Sequence, residues 1–361
     1  MRKTLLAALT FTAIASTTGS AMSQACDAKS LLPHPKTARV DARFTEMFTP
    51  RDGGVWTGAD STYSTQLPDG RTVWFFSDTF VGRVNPDRSR PRGTPMINNS
   101  LIVQDGEKRT VLIGGTPEEP RSFFVPSQPD SWYWVYDSTV ENGSLWVFLI
   151  RFSKAGSGPF GFKWHDTALA EVSLPDLKVK GIRPVVNAKG ISWGAALLED
   201  GDYTYIYGVE DRKDGKWMHL ARAKRGAIYG SWDFLGEKGW TRDAAGSRRL
   251  LPGIANEFSV TRVKDGYLLV TFDTTQFLGA DILAYTSCSP EGPWENRTLL
   301  YQTPEAVDEV FTYNAHAHPQ FTEDGELLIS YNQNHLVVAA LTASVDFYRP
   351  RFFRVAVPAL K

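Results

Sequence analysis

Five times along this 361-residue chain an Asp-Gly or Asn-Gly turn sits just before an apolar run. The turns read Pro68-Asp69-Gly70 before Val73-Trp74-Phe75-Phe76, Glu141-Asn142-Gly143 before Leu145-Trp146-Val147-Phe148, Glu199-Asp200-Gly201 before Tyr203-Thr204-Tyr205-Ile206, Lys264-Asp265-Gly266 before Tyr267-Leu268-Leu269-Val270, and Glu323-Asp324-Gly325 before Leu327-Leu328-Ile329. Gly supplies the positive φ that closes a hairpin, and β-branched and aromatic runs suit strands buried on both faces. A hairpin repeated at this spacing predicts an all-β fold, a five-bladed β-propeller, with blades converging on an axial funnel.

The turns also set a register. If each is a three-residue loop, a type I turn followed by a left-handed Gly, the residues flanking the loop face each other. Leu67 then opposes Arg71, and further along the same hairpin Asp60 lies across from Asp78. Like charges facing each other across a strand pair are destabilising, so such a pair needs a reason to exist. The same register sets Glu257 against Asp273 in the fourth hairpin, Asp137 against Val147 in the second, Gly194 against Ile206 in the third and His318 against Ser330 in the fifth. An isolated acidic residue at a strand end is usually solvated or caps a turn. Were the first loop two residues long, Asp60 would oppose Thr79 and leave Asp78 on the other sheet face.

The N-terminus reads as a Sec-type signal peptide, residues 1–25: Arg2 and Lys3, an apolar stretch from Leu5 to Ile14, then small residues with cleavage after Ala21 or Ala25. That stretch is too short to span a bilayer as a helix, which predicts a secreted or periplasmic protein. Cys26 follows Ser23-Gln24-Ala25, a poor match to a lipoprotein box because the expected Leu is absent. Cys26 and Cys288 are the only cysteines, either a disulfide from the N-terminal segment to the fourth blade or a free pair. A formal charge of −1 and the lack of a basic run argue against nucleic acid as a partner. With no linker or composition shift after the signal, residues 26–361 read as a single propeller domain, and Phe347–Val357 reads as an outer strand.

Glycoside hydrolysis needs one carboxyl group to protonate the departing oxygen and a second to act as nucleophile or to activate water. Opposed carboxylates in a funnel suit that task, because mutual repulsion lifts one pKa and keeps a proton available near neutral pH. Asp60 and Asp78 are the candidate catalytic pair. Groups suited to sugar hydroxyls are Trp56, Tyr63, Asn98, Asn99, Trp193, Tyr313, Asn314, His316, His318 and Asn332, with Asp137, Glu257 and Asp273 as further substrate-binding candidates. Alternation places His316 and His318 on one face with Asn314 beside them. No metal-binding spacing, phosphate loop or cofactor motif is present in the sequence. Two classes of reading stay open from these residues: a glycan hydrolase, whose substrate could be L-arabinan, fructan, a surface oligosaccharide or another glycan, and a carbohydrate-binding propeller without catalysis.

Several segments resemble the DUF4185 family of five-bladed propellers, which includes endo-D-arabinanases of glycoside hydrolase family 183. They are Trp56 to Asp60, Leu67-Pro-Asp-Gly-Arg71 through Phe76-Ser-Asp78-Thr79, Asn98-Asn-Ser100, Trp193-Gly-Ala through Tyr205-Ile-Tyr-Gly208, Asn256 to Val260, Gly292-Pro-Trp294 and Ala317-His-Pro319 through Ser330-Tyr-Asn332. The resemblance implies that Asp60 and Asp78 are the catalytic carboxylates and that the substrate is a D-arabinofuranose polymer. Ser77 stands where relatives often have Gly, and Gln320 where an acidic residue is expected.

Overall fold

The computed structural model describes residues 26–158, 161–276, 278–358 and 360; the segment read as a signal peptide lies outside them. Five antiparallel sheets surround one axis as a five-bladed β-propeller. The innermost strands are Trp56–Gln66, Ser131–Glu141, Ile191–Asp200, Phe258–Val263 and Val310–Glu323, in blades 1 to 5. Each leads through one of the five turns into its blade's second strand. Wholly buried aromatics fill the gaps between layers. Trp74 is packed by Phe48, Phe321 and Phe352, and Trp193 by Trp232 and Phe234. Each such ring contributes on the order of 2–3 kcal/mol by leaving water.

The ring closes at blade 5 with a strand from the other end of the chain. Arg349–Ala356, expected as an outer strand, is the third strand, and Arg39–Val40 covers it as the fourth. Pairing the N-terminal strand with a C-terminal blade removes an exposed edge and holds the ring shut. Cys26 and Cys288 form a disulfide, with Cα atoms 5.8 Å apart, that pins the segment before this closing strand to blade 4. Cys288→Ser is expected to lower the melting temperature by several degrees, since losing a native disulfide costs roughly 2–5 kcal/mol; calorimetry under oxidising conditions checks it, and an unchanged transition would show the closure to be self-sufficient.

The five similar turns fold in different ways, and this corrects four of the five expected registers. Leu67-N donates to the Arg71 carbonyl at 2.7 Å, and Gly70 has φ 89°, so the first loop has three residues as expected. In the second and fifth hairpins both loop residues take positive φ (Asn142 and Gly143, Asp324 and Gly325), giving two-residue loops. Val147 therefore faces Ser138 rather than Asp137, and Ser330 faces His316 rather than His318. In the third, Gly201 leads a two-residue loop between Asp200 and Tyr203, and Ile206 faces Leu197 instead of Gly194. In the fourth, Val263 pairs with Gly266, so the glycine sits in the strand, where a Cβ would collide with Leu31 and the Ser287 carbonyl. That slip of one residue separates Glu257 from Asp273.

Candidate active site

Asp60 lies in a distorted stretch of the innermost strand of blade 1. Ser61 and Thr62 have φ of 71° and 76°, and the register shifts between Ala59 and Tyr63, so this stretch is bulged. Positive φ at two consecutive non-glycine residues is costly, and the surroundings enforce it. Asn332 Nδ2 donates to Thr62 Oγ1 at 3.0 Å, and Ser61 Oγ donates to Glu257 Oε1 at 2.9 Å and is hydrogen-bonded to Ser77 Oγ at 2.7 Å. Ser77 Oγ also accepts from the backbone of Val135, tying blade 1 to blade 2, which gives this serine a structural task that glycine cannot perform. Just upstream, the buried guanidinium of Arg90 donates to the Thr57 and Leu341 carbonyls.

The bulge brings together three carboxylates. Asp60 Oδ2 accepts from Tyr313 Oη at 2.8 Å, and the backbone N–H of Asp78 and the Tyr348 hydroxyl also point at this carboxyl. Its Oδ1 is buried without a partner. Asp78 Oδ1 accepts from Asn98 Nδ2 at 3.0 Å and Trp134 Nε1 at 2.8 Å. Glu257 Oε1 accepts from Asn314 Nδ2 at 2.9 Å, and its Oε2 lies 3.5 Å from His316 Nε2. Burial, then the neighbouring Asp78 charge, pushes Asp60 up to about 7. Burial also raises Asp78, against the pull of Asn98 and Trp134. Glu257 is lifted well above the ordinary carboxylate range by burial and then by Asp60. Burial holds His316 down at about 3, so the ring is neutral and supplies no charge to offset the acids. Near pH 7 such a cluster retains protons that isolated carboxylates would have lost.

Of the residues singled out from sequence, Asp60, Asp78, Asn98, Glu257, Tyr313, Asn314 and His316 meet in this one site. Tyr63 forms its floor, its ring centroid 3.9 Å from that of His316 and its hydroxyl bonded to the Ala195 carbonyl. The others serve elsewhere. Trp56 packs in the core against Phe48 and Phe76. Trp193 is wholly buried over Gly208, whose added Cβ would come within 2.7 Å of the indole. Asn99 is spent on the backbone of Phe124 and Tyr133, and Asn332 on the bulge. His318 is a core group bonded to Ser64 and Ser330 beside Trp74. Asp273 is bound by Arg297 and Thr275, which hold its carboxyl below the usual range.

Asp137 accepts from the backbone of Ser138 and Leu197 and lines a separate polar cavity of about 220 Å³ at the other end of the axis. Gln320 lines the same cavity, so the residue standing where an acid was expected does not touch the acidic site. Trp134, Tyr348, Ser61 and Asn334, which donates to Tyr313 Oη at 3.1 Å, were not anticipated. Trp134 carried a faint signal in the run Ser131-Trp-Tyr-Trp-Val-Tyr136, where alternate residues share a face; Tyr348 carried none.

Over residues 41–357 the chain matches a family described as Domain of unknown function (DUF5005). The chain belongs to that family. Its fold is similar to the crystal structure of a candidate hydrolase from Bacteroides ovatus ATCC 8483, with a TM-score of 0.75 and 24% identity over 88% of this chain and 90% of the other. An exo-β-1,3-galactanase from Phanerochaete chrysosporium shares the fold more distantly, with a TM-score of 0.50 and 11% identity over 85% of this chain and 66% of the other. Among curated proteins, this DUF5005 member is 30% identical over 156 residues to notoamide biosynthesis cluster protein J′ of Aspergillus versicolor, covering 42% of this chain and 40% of the relative. Protein J of Aspergillus sp. (strain MF297-2) is 25% identical over 154 residues, covering 41% and 39%. The matches thus span about two fifths of the length of these curated relatives.

Proposed function

We propose that this protein is a secreted glycoside hydrolase that cleaves furanoside polysaccharide, with D-arabinan as substrate and Asp60 and Asp78 as its catalytic carboxylates. The observation that carries the reading is the adjacency of these two acids in unlike surroundings. Asp78 accepts two N–H donors, which favour its ionised form, whereas burial and the Asp78 charge outweigh the donors around Asp60 and raise its carboxyl to about 7. Asp60 is then the general acid that protonates the departing glycosidic oxygen, and Asp78 the carboxylate that attacks the anomeric carbon or activates water. Burial and the neighbouring Asp78 charge keep the proton on Asp60 until the leaving oxygen takes it. Tyr313 and Asn334 fix the direction in which Asp60 presents it.

The resemblance to DUF4185 and glycoside hydrolase family 183 supports the furanoside, and the glycan-cleaving enzymes among the distant fold neighbours are in keeping with the reaction class. The test is to incubate the mature protein with D-arabinan, L-arabinan, arabinogalactan and fructan and to follow released oligosaccharides by chromatography. A ladder from D-arabinan alone is the expected result; a ladder from another glycan alone would retain hydrolysis and overturn the substrate.

Trp134→Phe removes one of the two N–H donors to Asp78 and leaves the packing nearly intact. A lost hydrogen bond to an ionised group is worth about 1.5–3 kcal/mol, so the expected result is a drop in kcat/KM of roughly 10- to 100-fold. The acidic limb of the pH profile should move upward, because Asp78 then holds its proton to higher pH. An unmoved acidic limb would remove Asp78 from the role of base.

A further inference from the structure

We infer that partly exposed aromatic rings on blade 2 form a stacking platform for the glycan residue next to the one held at Asp78; this rests on the hydrolase reading. The platform follows from strand pairing. Phe152, in the second strand Ser144–Lys154, pairs with Trp132 on one side and with Trp164, in the third strand Phe162–Ser173, on the other. Directly opposed residues share a sheet face, and alternation adds Trp134 beside Trp132 and Phe162 beside Trp164. The rings meet: Trp134 lies 6.2 Å from Trp132 and 4.8 Å from Phe162 between centroids, with Phe152 packed against Trp134 at 4.4 Å. Phe152 is buried, whereas Trp132, Trp134, Phe162 and Trp164 each keep part of their surface in water.

The other partly exposed tryptophans are covered, and these are not. The Arg249 guanidinium lies 3.6 Å from the Trp217 ring centroid and that of Arg222 4.0 Å from Trp240, while Trp146 is stacked on Tyr229 with the ring planes 2° apart. Among the described residues no guanidinium contact falls on the blade 2 rings. An uncapped aromatic face presents the negative side of the ring quadrupole, which suits the weakly positive C–H face of a sugar. Position then selects the occupant. Trp134 donates its Nε1–H to Asp78 Oδ1 at 2.8 Å, so the platform is continuous with the catalytic pair, and Asn98, which donates to the same oxygen, stands beside it. A glycan with its anomeric carbon at Asp78 that continues toward blade 2 must lie over these rings. Around Asp60 the grip is of another kind, from the hydroxyls of Tyr313 and Tyr348.

The test measures binding by calorimetry on the Asp60→Asn protein, which leaves Asp78 and Trp134 as they are, with methyl D-arabinofuranoside and a D-arabinofuranose oligosaccharide as probes. Trp132→Ala should weaken the oligosaccharide roughly tenfold, the order of one aromatic stacking contact, and leave the methyl glycoside unchanged. Trp132→Phe, which keeps a ring, should recover most of that loss. With the platform intact, the Trp132 indole N–H resonance should shift on adding the oligosaccharide and stay in place with the methyl glycoside. An unshifted resonance at saturation, equal loss of both ligands in Trp132→Ala, full oligosaccharide affinity in that variant, or no oligosaccharide binding at all would each overturn the inference. Because binding is read without turnover, the two readings fail separately. Hydrolysis of the panel with an indifferent Trp132 would remove the platform alone, and Trp132-dependent binding without hydrolysis would leave the platform on a binding propeller.

Discussion

Asp60→Asn and Asp78→Asn are each expected to lower turnover by at least about a thousandfold while ligand affinity is retained within a few-fold. The asymmetry follows from what each change removes. An amide cannot deliver the proton that the Asp60 carboxyl holds with its pKa raised to about 7, and an amide at 78 cannot attack or deprotonate water. Both variants keep the size and most of the hydrogen bonds of the native group, so the sugar contacts around them persist. Turnover near that of the native protein in both variants would dismiss the assignment, and changes confined to affinity, with no turnover by the native protein, would favour a binding propeller.

The same substitution has a stability signature with a definite sign. Asp60 in the folded protein holds its proton up to about pH 7, while the unfolded chain releases it near pH 4. Between those values the native state binds more protons than the unfolded state, so stability falls as pH rises through that window. Above it, burying the charge costs on the order of 1–3 kcal/mol, allowing for partial exposure and for sharing of the proton with Asp78 and Glu257. Asp60→Asn removes that cost. The variant should therefore melt a few degrees above the native protein at pH 8 and at about the same temperature at pH 4. Thermal scans at the two pH values check this, and an equal offset at both would place the effect in packing rather than in the charge.

The second large effect is expected at Gly58, two residues before Asp60. Its φ is 138°, and an added Cβ would overlap the Tyr348 carbonyl oxygen and the Arg90 guanidinium. Neither neighbour can yield. Arg90 is buried and bonded to the Thr57 and Leu341 carbonyls, and Tyr348 is fixed by Phe80 and faces Asp60. Gly58→Ala combines backbone strain with overpacking and is expected to cost roughly 3–5 kcal/mol, enough to lower the melting temperature by about 4–7 °C. Whatever folds should also be impaired in turnover, because Asp60 and Tyr348 move together. A melting temperature within a degree or two of the native value would show that the two backbones can separate here without penalty.

Local sequence determined the five hairpins, because an Asp-Gly or Asn-Gly pair before a both-faces-buried strand has few other folds, and their repetition determined the propeller. It also determined the pairing neighbourhood of Asp60 and Asp78, since the first loop keeps its three-residue form. Only tertiary structure decided the rest. Whether a glycine closes a turn or lies in a strand depends on what packs against it: Gly266 lies in a strand against the disulfide segment, and that single slip parts Glu257 from Asp273. Glu257 reaches the acidic site through contacts with blades 1 and 5, made across the axis by residues 57 and 196 positions away. Trp56, Trp193 and Asn99 look like sugar ligands in a string of letters, but whether a ring or an amide meets solvent or core is fixed by inter-blade packing. Tyr348 comes to Asp60 because the ring closes between blades 5 and 1, a contact between chain ends that no local pattern encodes.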